Sequence, residues 1–90
     1  MRDIIWTDEA IGRLEAIVAY IAAFNPSAAE RLGERLTEVA DSLAEFSDRG
    51  REAPGGTREM TIVWPYVVRY RVEPERVAIL RIRHGARAEE

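Results

Sequence analysis

The hydrophobic residues of this 90-residue chain follow two different periods, and the change between them limits the folds that it can adopt. Up to residue 46 the apolar positions recur every three or four residues, as on one face of a helix. From residue 57 onward they largely alternate with polar and charged ones, as in strands with one buried face. We therefore expect a single α+β domain over residues 1–90, because the chain is too short for a second core.

The first half of the chain predicts a short strand followed by a helical hairpin. Asp3–Trp6 has the composition of a strand, and Thr7 is expected to cap a first helix that ends near Phe24. Asn25 precedes a proline, which disfavours helix at that position and suits the start of a second helix. The two apolar faces comprise Ile11, Leu14, Ile17, Val18, Ile21 and Ala22 on the first helix, and Ala28, Ala29, Leu32, Leu36, Val39, Ala40, Leu43 and Phe46 on the second.

The second half predicts a glycine-rich loop and three further strands. The loop covers Ser47–Gly56, and the strands cover Thr57–Val63, Tyr66–Val72 and Val77–His84, with a polar tail at Gly85–Glu90. The last strand is apolar at both parities, which predicts a central position in the sheet. The expected fold has two layers, with a helical hairpin packed on a mainly antiparallel four-stranded sheet in the order β-α-α-β-β-β.

Several functional classes are disfavoured by residues that the sequence lacks. One histidine and no cysteine cannot supply a closed zinc site, and no glycine loop between a strand and a helix is placed to cradle phosphate. We expect no cofactor, no metal and no small-molecule substrate, because a core this small leaves room only for a surface groove. The apolar runs are too short for a membrane span or a signal peptide, so the cytoplasm is the expected compartment.

The net charge of −3 conceals an uneven distribution along the chain. Residues 1–48 carry four Arg against ten acidic residues, a net −6, whereas residues 49–90 carry nine Arg against six, a net +3. The basic half suits a nucleic acid or an acidic partner, or it simply pairs with the acidic helices. All thirteen Lys and Arg positions are Arg, which suits bidentate anion binding but also follows from codon bias in a GC-rich genome.

Strings along nearly the whole chain resemble the RelE/ParE superfamily of bacterial toxins. They are Trp6–Ala10, Leu14–Ile21, Asn25–Ala29, Gly50–Arg51, Gly56–Glu59, Pro65–Val72 and Ile79–Arg87, in the family's order. The resemblance implies the toxin of a type II toxin–antitoxin pair, inhibited by a cognate antitoxin whose C-terminal segment wraps around it. ParE-like members inhibit DNA gyrase and serve in plasmid stabilisation. RelE-like members are ribosome-dependent mRNA endonucleases.

The residues present favour the ParE-like branch, a gyrase inhibitor without catalysis of its own. Metal-independent RNA cleavage needs a base, cations and an acid, yet His84 is the only histidine, and Val67 follows Tyr66 where RelE itself has an arginine. An endoribonuclease acting on the ribosome and mRNA remains the alternative, with His84, Arg58 and Arg83 as its catalytic candidates. A stand-alone binding module is a third reading.

The residues expected to contact the target are Arg58, Arg83, His84 and Arg87. Two of them have a structural alternative: His84 as a hydrogen-bonding residue at a strand end, and Arg58 with Glu59 as a bridge between strands or a support for the glycine loop. Trp64 and Tyr66 suit either stacking on a base or partner, or packing at a strand turn.

Overall fold

The computed structural model describes residues 1–85, which form two helices and a five-stranded sheet. The elements are β1 (Asp3–Trp6), α1 (Asp8–Ala22), α2 (Pro26–Ser42), β2 (Arg51–Ala53), β3 (Thr57–Val63), β4 (Tyr66–Val72) and β5 (Arg76–His84). The helices pack on one face of the sheet, which confirms the α+β class. Within the described residues, no helix is long and apolar enough to span a membrane.

Both helices begin where the sequence predicts. The Thr7 hydroxyl accepts a hydrogen bond from the backbone N–H of Ala10 at 3.2 Å, and the Asn25 side chain accepts one from Ala28 at 3.0 Å. Such caps satisfy backbone donors that have no partner inside the helix. Thr7 also donates its hydroxyl proton to the carbonyl of Ile79 at 2.9 Å, so the start of α1 is tied to β5.

The strands are arranged in the order β1-β5-β4-β3-β2. β1 runs parallel to β5, while β5, β4, β3 and β2 form an antiparallel meander. β5 therefore has a hydrogen-bonded neighbour on each side, in agreement with its apolar residues at both parities.

The sheet has one strand more than the sequence predicts. Arg51–Ala53 lies within the predicted loop but pairs with β3 as a short edge strand. Gly55 and Gly56 make this possible, because both adopt positive φ angles, 78° and 71°, that other residues rarely adopt. The pairing needs only a tight turn after Ala53. The glycines and proline that form this turn are equally common in irregular loops, so the sequence alone did not reveal the strand.

The C-terminal end of α2 also differs from the expectation. α2 ends at Ser42, and the chain turns at residues 43–45, so Phe46 lies outside the helix with 56% of its surface exposed. The prediction that Phe46 continues the apolar face of α2 is wrong. The helix ends four residues earlier, so a spacing of three or four residues no longer places a side chain on the helix face. Leu43, three residues earlier, is fully buried.

The core lies between the helices and one face of the sheet. Its largest fully buried side chains are Tyr70, Leu36, Leu43, Ile79, Val68 and Val77. Because successive strand residues point to opposite faces, the residues that alternate with Val68 and Tyr70 face away from the helices. We call this second face of the sheet the open face.

Candidate functional site

A cross-strand row of charged residues occupies the open face. Arg51 of β2 is paired with Glu59 of β3, and Glu59 is paired with Arg69 of β4. Paired residues on neighbouring strands project to the same side of a sheet, about 5 Å apart. Arg83 of β5 lies one row further along, opposite Val67. The sheet therefore gathers three arginines around one carboxylate.

Glu59 is engaged by all three arginines although only 5% of its side chain is exposed. Arg69 donates to Oε2 from Nε at 3.0 Å and from Nη2 at 2.6 Å. Arg83 donates from Nη2 to Oε1 at 3.3 Å, and Nη2 of Arg51 lies 3.6 Å from the same oxygen. We call these four residues the Glu59 cluster.

The charge state of Glu59 depends on its arginine partners. Burial by itself raises the pKa of Glu59, but the hydrogen bonds and positive charges of Arg69 and Arg83 outweigh it and hold the pKa below the ordinary value of 4.5. The carboxyl is thus ionised at neutral pH. With three arginines and one carboxylate, the Glu59 cluster carries a net charge of +2 (3 − 1).

Arg58 lies on the opposite face of β3 and holds the loop that precedes β2. Its Nη1 donates to the carbonyl of Gly50 at 2.6 Å. The hydroxyl of the buried Tyr70, the strand partner of Arg58, accepts from the N–H of Gly50 at 2.8 Å and donates to the carbonyl of Ser47 at 2.8 Å. A Cβ on residue 50 would lie 2.6 Å from the Tyr70 hydroxyl, so this contact requires glycine.

His84 lies at the end of β5 beside the turn between β3 and β4. It is paired with Tyr66, and the two rings meet edge to face with centroids 5.7 Å apart. The N–H of Gly85 donates to the carbonyl of Pro65 at 2.6 Å, which closes this end of the sheet. Trp64 lies in that turn with three-quarters of its surface exposed.

The structure does not bring the described members of the sequence-predicted site together. Arg58 is paired with Tyr70 and His84 with Tyr66, which comes four residues before Tyr70 in β4, a separation of about 13 Å. Arg83 projects from the open face, whereas the residue after it points to the other side. Arg87 lies outside the described residues.

Sequence reasoning missed Arg51, Arg69 and Glu59 as members of one cluster. The signal for Arg69 was present, because it alternates with the apolar Val68 and Tyr70 and must face away from the core. The contacts that the structural interpretation of the Arg58–Glu59 dipeptide predicts are present: Glu59 bridges strands, and Arg58 binds the glycine loop. The position of Arg51 depended on β2, which the sequence did not reveal.

A second feature is a groove of about 680 Å³ between the two helices. Leu14, Val18, Ala19, Gly33 and Thr37 line it, with Glu15, Glu34 and Glu38 around them. The half-buried lining residues are apolar or glycine, and the three glutamates are exposed, so the groove has an apolar floor and acidic edges. Gly33 places no side chain in the groove, where a Cβ would lie 3.6 Å from Val18 on the other helix.

Comparison with known proteins identifies the class to which this fold belongs. The sequence profile described as "ParE toxin of type II toxin-antitoxin system, parDE" matches residues 4–89, so the chain belongs to this toxin family within the RelE/ParE superfamily. Membership implies a cognate antitoxin partner. The resemblance read from the sequence is thereby confirmed.

Particular relatives support the assignment over nearly the whole chain. Toxin RelE2 of Caulobacter vibrioides is 49% identical over 87 residues, covering 97% of this chain and 99% of its own. Toxin RelE1 of the same organism is 39% identical over 72 residues, 77% of each chain. Among solved structures, a chain of the chromosomal ParDE system from P. aeruginosa superposes with a TM-score of 0.80 at 28% identity, covering 93% of this chain and 96% of that one.

Proposed function

We propose that this toxin acts in the cytoplasm by binding DNA gyrase and inhibiting it, without catalysing a reaction of its own. The observation that carries the proposal is the separation of Arg58, Arg83 and His84 over two faces and about 13 Å of the sheet. An inhibitor that acts by binding needs only a complementary surface. An endonuclease needs its base, cation and acid around one ribose phosphate.

The separation counts against RNA cleavage by these residues because proton transfer is short-ranged. A general base or acid must come within about 3 Å of the proton that it moves, and each such group contributes about 10²–10⁴-fold in rate. Arg58 is occupied by the carbonyl of Gly50, and Arg83 donates to Glu59. A RelE-like mRNA endonuclease is the second candidate, favoured by the 49% identity to a relative named RelE2.

Purified toxin and gyrase provide the direct test of the target. We expect the toxin to inhibit supercoiling of plasmid DNA or to trap cleaved DNA on the enzyme. Induced expression should elongate cells and raise a DNA-damage response before protein synthesis falls. Prompt arrest of translation, with mRNA cut at ribosomal codons and gyrase unaffected, would overturn the proposal in favour of the endonuclease.

We propose that Arg83 and Arg87 contact the target, with Arg58 and His84, which project from the other face of the sheet, as further candidates. Replacing Arg83 and Arg87 together by Ala should abolish growth inhibition while antitoxin binding stays near wild type. The matched control replaces Arg31 and Arg35 of α2 by Ala, which removes the same charge from the helical layer. Toxicity that survives the first double substitution, or is lost equally in the control, contradicts this placement.

The groove between α1 and α2 is the surface on which we place the antitoxin. Its apolar floor suits the apolar face of an amphipathic helix, and Glu15, Glu34 and Glu38 suit basic residues along the edges of that helix. An exposed apolar groove of this kind is typical of a surface that a partner covers. We therefore expect a basic amphipathic segment of the antitoxin to bind here.

Two alanines of α1 provide a matched pair of variants for the groove. Ala19 lines it, whereas Ala16 is exposed elsewhere on the same helix. Ala19→Gln should weaken antitoxin binding at least about tenfold, which corresponds to about 1.4 kcal/mol, because the longer side chain fills the groove. Ala16→Gln should leave the Kd measured by titration calorimetry unchanged. Equal affinities for the two variants would exclude the groove.

A further inference from the structure

The arginines of the Glu59 cluster are held in place by a group that is more buried than they are. The carboxylate is 5% exposed, whereas the side chains of Arg69 and Arg83 are each 25% exposed and that of Arg51 is 77% exposed. The carboxylate therefore lies beneath guanidinium groups whose outer edges reach solvent. A guanidinium presents five donors, of which Glu59 engages only two on Arg69.

Such an arrangement is preorganised for anions. Holding a long arginine side chain in one conformation costs side-chain entropy, and here Glu59 has already fixed Arg69. Planar guanidinium groups recognise phosphate oxygens in the same bidentate way as they recognise carboxylates. The net charge of +2 lies on the face that the acidic helices do not cover.

The rest of the open face indicates which phosphate compound suits it. Arg71 is exposed one row beyond Arg69, and Ala78 and Ile5 continue that row across β5 and β1. Among the described strand residues of this face, none is aromatic, because Tyr66 and Tyr70 project to the other side. Single-strand binding surfaces stack bases on aromatic side chains, whereas a duplex backbone needs cations alone.

We propose that the open face binds the phosphodiester backbone of duplex DNA, with Arg51, Arg69 and Arg83 contacting phosphates and Glu59 as their positioning residue. Only the choice of duplex DNA rests in part on the proposed function, since gyrase holds a duplex while it is inhibited. Arg83 then contacts the DNA part of the gyrase–DNA target, and the toxin binds that DNA without reading its base sequence.

Fluorescence anisotropy of a labelled 30-bp duplex with the purified full chain tests the proposal in the absence of gyrase. Three phosphate contacts, at about 0.9 in the slope for each, predict that affinity falls about 40-fold between 50 and 200 mM salt. Arg51→Gln should lower that slope by about one. The matched control is Arg35→Gln on α2, because Arg35 is 62% exposed and also pairs with a glutamate, Glu38.

Each outcome of these binding measurements supports or overturns the DNA site, and gyrase inhibition measured alongside separates it from the proposed gyrase target. A weaker affinity and lower slope for Arg51→Gln, with Arg35→Gln unchanged, supports a DNA site on the open face. Equal losses in both variants, or no binding at 50 mM salt, overturn it. Tighter binding of single-stranded RNA than of the duplex also overturns it and favours the endonuclease. Gyrase inhibition without duplex binding removes this inference alone, whereas duplex binding without gyrase inhibition removes the proposed target alone.

Discussion

Removal of one buried hydroxyl, in Tyr70→Phe, is expected to destabilise the protein while leaving its overall fold intact. Tyr70 has no exposed surface, and its hydroxyl makes two hydrogen bonds of 2.8 Å, one from the N–H of Gly50 and one to the carbonyl of Ser47. Burial raises the pKa of Tyr70 above 10.0 despite the opposing bond from Gly50. The hydroxyl therefore keeps its proton, and remains a donor, at neutral pH.

The loss of unfolding free energy in Tyr70→Phe can be estimated from the two backbone groups that lose their hydrogen-bond partner. A typical hydrogen bond contributes about 1 kcal/mol net, and a buried donor left without a partner costs about 1–3 kcal/mol. The N–H of Gly50 is buried, whereas Ser47 is partly exposed, so water can replace the lost bond at the second site more easily. We expect Tyr70→Phe to lower the free energy of unfolding by about 2 kcal/mol, or the Tm by about 10 °C.

Urea denaturation and amide hydrogen exchange measure the global and the local effect. The Gly50 amide should lose more protection than amides in the middle of β4, because its acceptor has been removed. Tyr20→Phe is the control, since Tyr20 is 69% exposed and the same atom is deleted at the surface. A Tyr70→Phe protein within about 0.5 kcal/mol of wild type would refute the view that Tyr70 holds the loop.

Two further predictions concern acid stability and helix capping. Because Arg69 and Arg83 hold the folded pKa of Glu59 below 4.5, its contribution to stability is present above pH 4.5 and is lost as the pH falls through the folded value. Acid titration of stability should thus be steeper in wild type than in Glu59→Gln, and parallel curves would contradict this. Thr7→Ala removes the acceptor for Ala10 and should cost about 1 kcal/mol in thermal unfolding, whereas an unchanged Tm would show that the cap contributes nothing.

The helical hairpin and four of the five described strands could be predicted because their signals are local. Thr7 and Asn25 are side chains that cap the helix beginning at the next residue, so a short window of sequence contains both the signal and its consequence. β5 is recognisable as an interior strand because both of its faces are apolar. These elements do not depend on which distant residues happen to pair.

The candidate site was harder to predict because it depends on register. Whether Glu59 lies opposite Arg69 or one residue away is decided by the turn between β3 and β4, and a shift of one residue would place the two side chains on opposite faces. The distance between Arg58 and His84 could not be predicted for the same reason. Both look like neighbours in a list of basic strand residues, yet the observed register places them about 13 Å apart along β4.

A single dipeptide of β4 connects the core to the open face. Tyr70 points toward the helices and binds the loop at Gly50, while its neighbour Arg69 points the other way and binds Glu59. Gly50 immediately precedes Arg51, so the loop that Tyr70 holds also determines where Arg51 meets Glu59. Loss of the Tyr70 hydroxyl should therefore weaken the Glu59 cluster from the opposite side of the sheet, through the position of β2.

If the open face binds DNA, Tyr70→Phe should lower the affinity for the labelled duplex as Arg51→Gln does, while the groove between the helices continues to bind antitoxin. An unchanged duplex affinity in a measurably destabilised Tyr70→Phe protein would show that the loop and the cluster are independent.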